Sequence, residues 1–208
     1  MVRRLAVFTA CTIAAASTLA TMADKPLNAA GSGTLTLASA RVTLDGTSSL
    51  HPYTASTTTV RLVKAEFTGE GLEAALEPGA LTAFEVAIPV ATLTSPKEGI
   101  DKNMHKALGS EKHSDITFRV STLAAAGSAG AEGLPLRATG ALTIAGMTRE
   151  VTVDLKARQT GAQLTVTGAI DLLMTDYGIK PPKAMLGMLK TDPKVRVSFE
   201  VALAAAGS

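Results

Sequence analysis

The stretch Val195-Arg196-Val197-Ser198-Phe199-Glu200-Val201-Ala202-Leu203, near the C-terminus, decides the fold class. Its large apolar residues fall on every second position. That is the period of a β-strand with one face against an apolar interior and the other in water. The same alternation recurs upstream. Val151, Val153 and Leu155 are interleaved with Thr152, Asp154 and Lys156. Leu164, Val166, Gly168, Ile170, Leu172 and Met174 mark one face of another segment. Ile116, Phe118 and Val120 mark a further one, as do Phe84, Val86, Ile88 and Val90. Leu142 and Ile144 lead into a turn at Ala145-Gly146-Met147-Thr148, and Arg149 opens the next strand. Residues 34–44 and 51–68 alternate less regularly but are rich in Thr and Val. A register change near Leu62-Val63 predicts a β-bulge.

About eight or nine such segments in one chain predict an all-β antiparallel sheet closed into a barrel, which leaves no exposed edge. A two-sheet sandwich has the same periodicity and stays open as the rival. Turn signals stand at Asp45-Gly46, Glu77-Pro78-Gly79, Ala126-Gly127-Ser128, Thr160-Gly161 and Asp192-Pro193. Residues 124–133 read as a small-residue loop and residues 204–208 as a tail. Two stretches break the strand period. Ile100, Met104 and Leu108 fall at helical spacing and predict a short amphipathic helix ending at Gly109. Residues 182–189, with Met185, Leu186, Met188 and Leu189, predict a second short helix. Two such helices on a barrel act either as lids over an opening or as plugs of a filled core.

The N-terminus predicts export. Arg3 and Arg4 precede an uncharged stretch from Leu5 to Leu19, with small residues at Ala20 and Ala23. This pattern describes a secretory signal peptide over residues 1–23, cut after Ala23 and leading to a periplasmic or secreted product. The stretch is too short for a comfortable membrane span, which takes about 20 residues. An uncleaved anchor is the alternative. Cys11, the single cysteine of the 208 residues, falls inside this segment. The mature chain is therefore expected to lack disulfides, cysteine-bound metals and a cysteine nucleophile. Of the 20 Lys and Arg, Arg3 and Arg4 leave with the segment, and the mature chain balances 18 basic against 18 acidic residues. That balance gives no electrostatic case for nucleic acid, and no later segment is apolar enough to span a membrane.

Signals for catalysis are sparse. His51, His105 and His113 match no tight metal-binding spacing. Gly46-Thr47-Ser48-Ser49-Leu50 lacks the second glycine of a nucleophile elbow. No glycine-rich phosphate loop precedes a helix. Asp171 and Asp176 flank Met174, which is weak support for acid–base chemistry. The reading is of a non-enzyme with no catalytic residue, no metal and no resident cofactor.

Several motifs then combine in a fixed order. His51-Pro52-Tyr53 precedes a Thr-rich strand, and the helix at 100–108 is followed by Glu111-Lys112-His113-Ser114-Asp115-Ile116-Thr117-Phe118. The hairpin Gly140-Ala141-Leu142-Thr143-Ile144-Ala145-Gly146-Met147-Thr148-Arg149 comes next, then Met174-Thr175-Asp176-Tyr177-Gly178-Ile179 and the closing 195–199 strand. In this order they resemble the YceI-like family, the lipocalin-resembling polyisoprenoid-binding proteins of bacteria, over residues 33–203. The resemblance implies an extended eight-stranded antiparallel barrel in the periplasm, binding an amphiphile such as a polyisoprenoid, quinone or fatty-acid derivative. It implies an apolar lining, which by position falls on Val86, Ile88, Phe118, Val120, Leu142, Ile144, Val153, Val166, Ile170, Val197 and Phe199. Ile100, Met104 and Met185 on the two expected lids join that lining. His105, Asp176, Tyr177 and Lys180, near those lids, are the candidates for a polar head group. A barrel filled by its own side chains and serving a structural or interaction role is the alternative, and a lipid hydrolase a more distant one. Oligomeric state is left open, with a homodimer that buries the lids as one arrangement.

Overall fold

The computed structural model describes residues 31–184 and 189–206. The expected signal peptide lies outside these residues, as do Met185, Leu186 and Met188. The chain forms strands β1 (Ser32–Ser48), β2 (Pro52–Thr57), β3 (Arg61–Thr68), β4 (Leu81–Pro89), β5 (Asp115–Ala125), β6 (Leu134–Ile144), β7 (Met147–Thr160), β8 (Gln163–Leu173), β9 (Lys183–Ala184) and β10 (Leu189–Ala205). One α-helix, α1 (Glu98–Leu108), lies between β4 and β5.

Neighbouring strands pair antiparallel in the order β3-β4-β5-β6-β7-β8-β10. β10 then pairs with β1 along Leu35–Ser48, and β1 returns to β3 through Ser32–Thr34. The sheet is thereby closed, which excludes the sandwich. β2 pairs with β1 at Val42–Thr47, on the side where β3 pairs farther along. β2 and β3 together act as one interrupted strand, so the ring has eight staves.

The alternating sequence sets the two faces. On β10, Val195 and Leu203 are buried and Val197, Phe199 and Val201 half-buried, while Arg196 and Glu200 are exposed. The expected bulge is present: Leu62 pairs with Val86 but Lys64 with Glu85, and Val63 is left exposed. The β6–β7 turn has Ala145 at φ 49° and Gly146 at φ 79°, the two left-handed residues that a tight hairpin requires.

Several expected elements differ. Asp45-Gly46 is not a turn but lies inside β1. A Cβ on Gly46 would come within 2.3 Å of the Tyr53 hydroxyl oxygen, so glycine stands there to let that side chain cross the strand. The chain reverses instead at Ser49-Leu50, where Ser48 Oγ accepts from the N–H groups of Leu50 and His51. Asp192-Pro193 lies inside β10. There Thr191 faces Ser48 and Val195 faces Gly46, so four residue steps on β10 oppose two on β1. Proline is tolerated in this bulge because it owes no N–H to the ladder. Ala204 and Ala205 are not tail but pair with Thr36 and Leu35.

Only one of the two expected lid helices is found among the described residues. α1 ends at Gly109, φ 64°, as the spacing predicts. In the second region Lys183-Ala184 pairs with Leu189-Lys190 as strands. A short apolar run cannot by its period be assigned to helix or strand, and Pro181-Pro182 before it disfavours helical backbone. The remaining short helical pieces are 3₁₀ turns at Leu72–Leu76, Val90–Thr92 and Met174–Tyr177.

The core is divided between the two ends of the barrel. One buried cluster gathers Leu35, Phe67, Leu72, Leu136, Leu164 and Leu203, with the 72–76 turn closing that end. The other gathers Val90, Leu93, Leu108, Ile144, Tyr177 and Ile179 beneath α1.

Candidate functional site

Between these clusters the barrel is hollow, with a cavity of about 520 Å³. Inward residues near mid-strand, such as Phe118, Val120, Ile170 and Phe199, are only half-buried, because they face this space rather than one another. Among the residues expected to form an apolar lining, Val86, Ile88, Phe118, Val120, Leu142, Ile144, Val153, Val166, Ile170, Val197 and Phe199 all border the cavity. Ile100 and Met104 of α1 border it as well, so the helix roofs the space. Met185 lies outside the described residues.

The head-group candidates are not brought together. Tyr177 borders the cavity and is 3% exposed, and its hydroxyl has no hydrogen-bond partner among the described residues. Burial, then the charge of Asp176, raises its pKa, opposed by Arg149. His105 does not border the cavity. Its Nε2 donates to the Leu93 carbonyl at 2.8 Å, tying α1 to the barrel rim. Asp176 is exposed and its main-chain oxygen accepts from Arg149 Nε at 2.9 Å. Lys180 is exposed and does not border the cavity; with Pro181 it lines a second depression that shares Lys190 and Thr191 with the cavity wall. Proximity to a lid therefore placed only Tyr177 on the cavity wall.

The other two histidines have structural surroundings. His51 Nδ1 donates to the Pro52 carbonyl at 3.0 Å, and the His113 ring covers Gly146. Among the described residues no three His, Cys, Asp or Glu side chains are grouped to hold a metal ion.

Among the described residues, the polar ones on the cavity wall apart from Tyr177 are Ser48, His51, Tyr53, Lys97, Asn103, Lys190 and Thr191. They come from three places: the β1–β2 connection with the strand ends that flank it, α1 with its preceding residue, and the start of β10. Leu50 in that connection and Leu173 at the end of β8 also border the cavity, 66% and 43% exposed. This is the mouth, at the end where Ser49 exchanges hydrogen bonds with Lys190. Sequence reasoning missed these residues, because turn tips and strand starts carry no periodic signal. Burial, then the charge of Asp192, raises the pKa of Tyr53, so its phenol stays protonated at neutral pH.

A family model for the YceI-like domain matches residues 32–203. The chain belongs to the YceI-like domain family. Solved structures share the barrel of this YceI-like domain at low identity. BcnA from Burkholderia cenocepacia is 17% identical with a TM-score of 0.61, over 78% of this chain and 95% of that one. A polyisoprenoid-binding domain from Saccharophagus degradans, implicated in plant cell wall breakdown, is 13% identical with a TM-score of 0.56, covering 83% and 99%. The Campylobacter jejuni YceI protein is 13% identical with a TM-score of 0.52, covering 72% and 85%. At these identities the likeness establishes the fold alone. No curated protein matches the chain. Among the described residues no helix is long and apolar enough to cross a membrane.

Proposed function

We propose that this YceI-like barrel is a binding protein rather than an enzyme, and that it holds the tail of a long-chain amphiphile inside its cavity, as a carrier or sequestering protein of the periplasm. The observation that carries this reading is the apolar cavity whose polar groups, Tyr177 aside, gather at one mouth. A tail threads inward past α1 and a head group stays among those polar residues. The YceI-like family and the polyisoprenoid-binding neighbour support a lipid-like ligand.

The volume limits the tail. At about 30 Å³ per chain carbon, taken from the share of one water in the liquid, the 520 Å³ cavity admits roughly 17 carbons. That is about three isoprene units or one common fatty chain. Burying each CH₂ contributes about 0.8 kcal/mol, so the gross gain is roughly 14 kcal/mol. Lost translational freedom and ordering of the chain offset a large share of it. Micromolar binding needs about 8 kcal/mol, which this balance can reach.

Native mass spectrometry of the mature protein, before and after delipidation, tests the reading. The expected result is a mass excess that organic extraction removes and that returns with an added long-chain amphiphile. A protein that carries no lipid and takes none up refutes it. Export rests on residues 1–23, and fusing them to a reporter active only outside the cytoplasm tests that separately.

A further inference from the structure

We infer that the mouth selects an amphiphile with an anionic head group, a carboxylate or a phosphate monoester. The inference rests on the amphiphile reading above and adds the head's chemistry to it. Among the described residues, apart from His51 and the two tyrosines, the ionisable side chains that border the cavity are Lys97 and Lys190, and no carboxylate borders it. The two lysines come from different elements, one from the residue before α1 and one from the start of β10. Among the described residues neither enters an ion pair.

Three acids lie near the mouth in sequence, and the charge of one of them, Asp192, reaches Tyr53. Glu98 pairs with Lys102, Asp101 accepts from Ser95 N–H, and Asp192 accepts from Lys194 N–H. The neutral groups of the mouth are suited to donate. The Tyr53 hydroxyl and the Asn103 amide make no hydrogen bond with the described residues, and the raised pKa of Tyr53 keeps its proton in place. Both lysines border the cavity and are exposed, the arrangement in which a lysine keeps its ammonium group in water. An acceptor-only anion held there meets donors and positive charge without leaving solvent entirely. This avoids the cost of burying a charge, which deeper in the apolar barrel would be prohibitive.

The test uses the delipidated mature protein and three C16 ligands: the fatty acid, the primary alcohol and the alkyl phosphate. Kd is measured by calorimetry. The acid and the phosphate are expected to bind about tenfold more tightly than the alcohol at low salt, the scale of two solvent-exposed charge contacts. The gap narrows as salt rises from about 0.1 M to about 1 M and the screening length falls from roughly 10 to 3 Å. Replacing both lysines, Lys97→Gln with Lys190→Gln, closes the gap by weakening the acid and the phosphate more than the alcohol, and a thermal melt shows that the variant is folded. If the alcohol binds as tightly as the acid, or the gap survives the double variant, the head-group assignment is overturned while the amphiphile reading stands. If none of the three ligands binds, both are overturned.

Discussion

Val166 lies on the floor of the cavity and offers a way to shorten it. It sits on β8 two residues from the buried Leu164 of the closed-end cluster, paired with Val201 of β10 and Ala157 of β7. Val166→Phe adds four side-chain carbons to a wall that faces open space. At about 30 Å³ per carbon this removes roughly 120 Å³, close to a quarter of the 520 Å³ available. A ligand that fills the cavity must withdraw about four carbons, each contributing about 0.8 kcal/mol when buried. The loss is about 3 kcal/mol, or roughly two orders of magnitude in Kd. A ligand four carbons shorter never reached that depth and loses nothing. The empty protein changes in stability by about 1 kcal/mol or less, because the ring enters a void rather than a packed core. Calorimetric titration with a ladder of chain lengths reads the effect as a shift of the optimum by about four carbons. A uniform loss at every length would point to structural damage, and an unchanged ladder to binding outside the barrel; either refutes the reasoning.

Other changes test other parts of the structure. Tyr177→Phe removes a hydroxyl with no partner among the described residues; the folded protein should be unchanged or up to about 1 kcal/mol more stable in urea, and a loss above that would show that the hydroxyl is bonded. Gly146→Ala meets both a left-handed φ of 79° and the His113 ring, 2.4 Å from the added Cβ. It should cost about 2 kcal/mol, reduced to about 1 kcal/mol in a His113→Ala background, where only the backbone strain remains; equal costs in both backgrounds would deny the ring contact. Asp171 bridges β8 to β10 through Lys194 and Arg196, each at 3.0 Å, and bonding to Lys194 above all holds its carboxyl below the usual range. A carboxyl depressed in the folded state adds stability above its unfolded pKa and loses it as pH falls through the folded one. Asp171→Asn should therefore lower Tm at neutral pH and flatten its decline toward pH 2–3, and a parallel decline in both proteins would count against the bridge.

Much of the barrel was legible because its cause is local. Period-two alternation in residues 195–203, 151–155 and 164–172 assigns each inward side chain without reference to any other strand, and these are the side chains found on the cavity wall. The bulge at Leu62-Val63 and the hairpin at Ala145-Gly146 were legible for the same reason. Glycine and proline misled where their cause was tertiary: Gly46 stands under the Tyr53 side chain, and Pro193 in a bulge set by pairing with β1. The helix expected at 182–189 is not found in its described ends, where Lys183-Ala184 pairs with Leu189-Lys190 as strands, because a short apolar run has no length over which period can be judged.

The sequence by itself determined that this chain makes amphipathic antiparallel strands with a short amphipathic helix ending at Gly109, since backbone geometry converts residue order directly into faces. Only the tertiary structure decided that the sheet closes through β1 and β10, that the interior is hollow, and that Lys97, Lys190, Asn103 and Tyr53 meet at one mouth. Closure, volume and proximity depend on pairings across up to about 170 residues of chain, such as Leu35 with Ala205, and no local pattern of side chains encodes a distance of that kind.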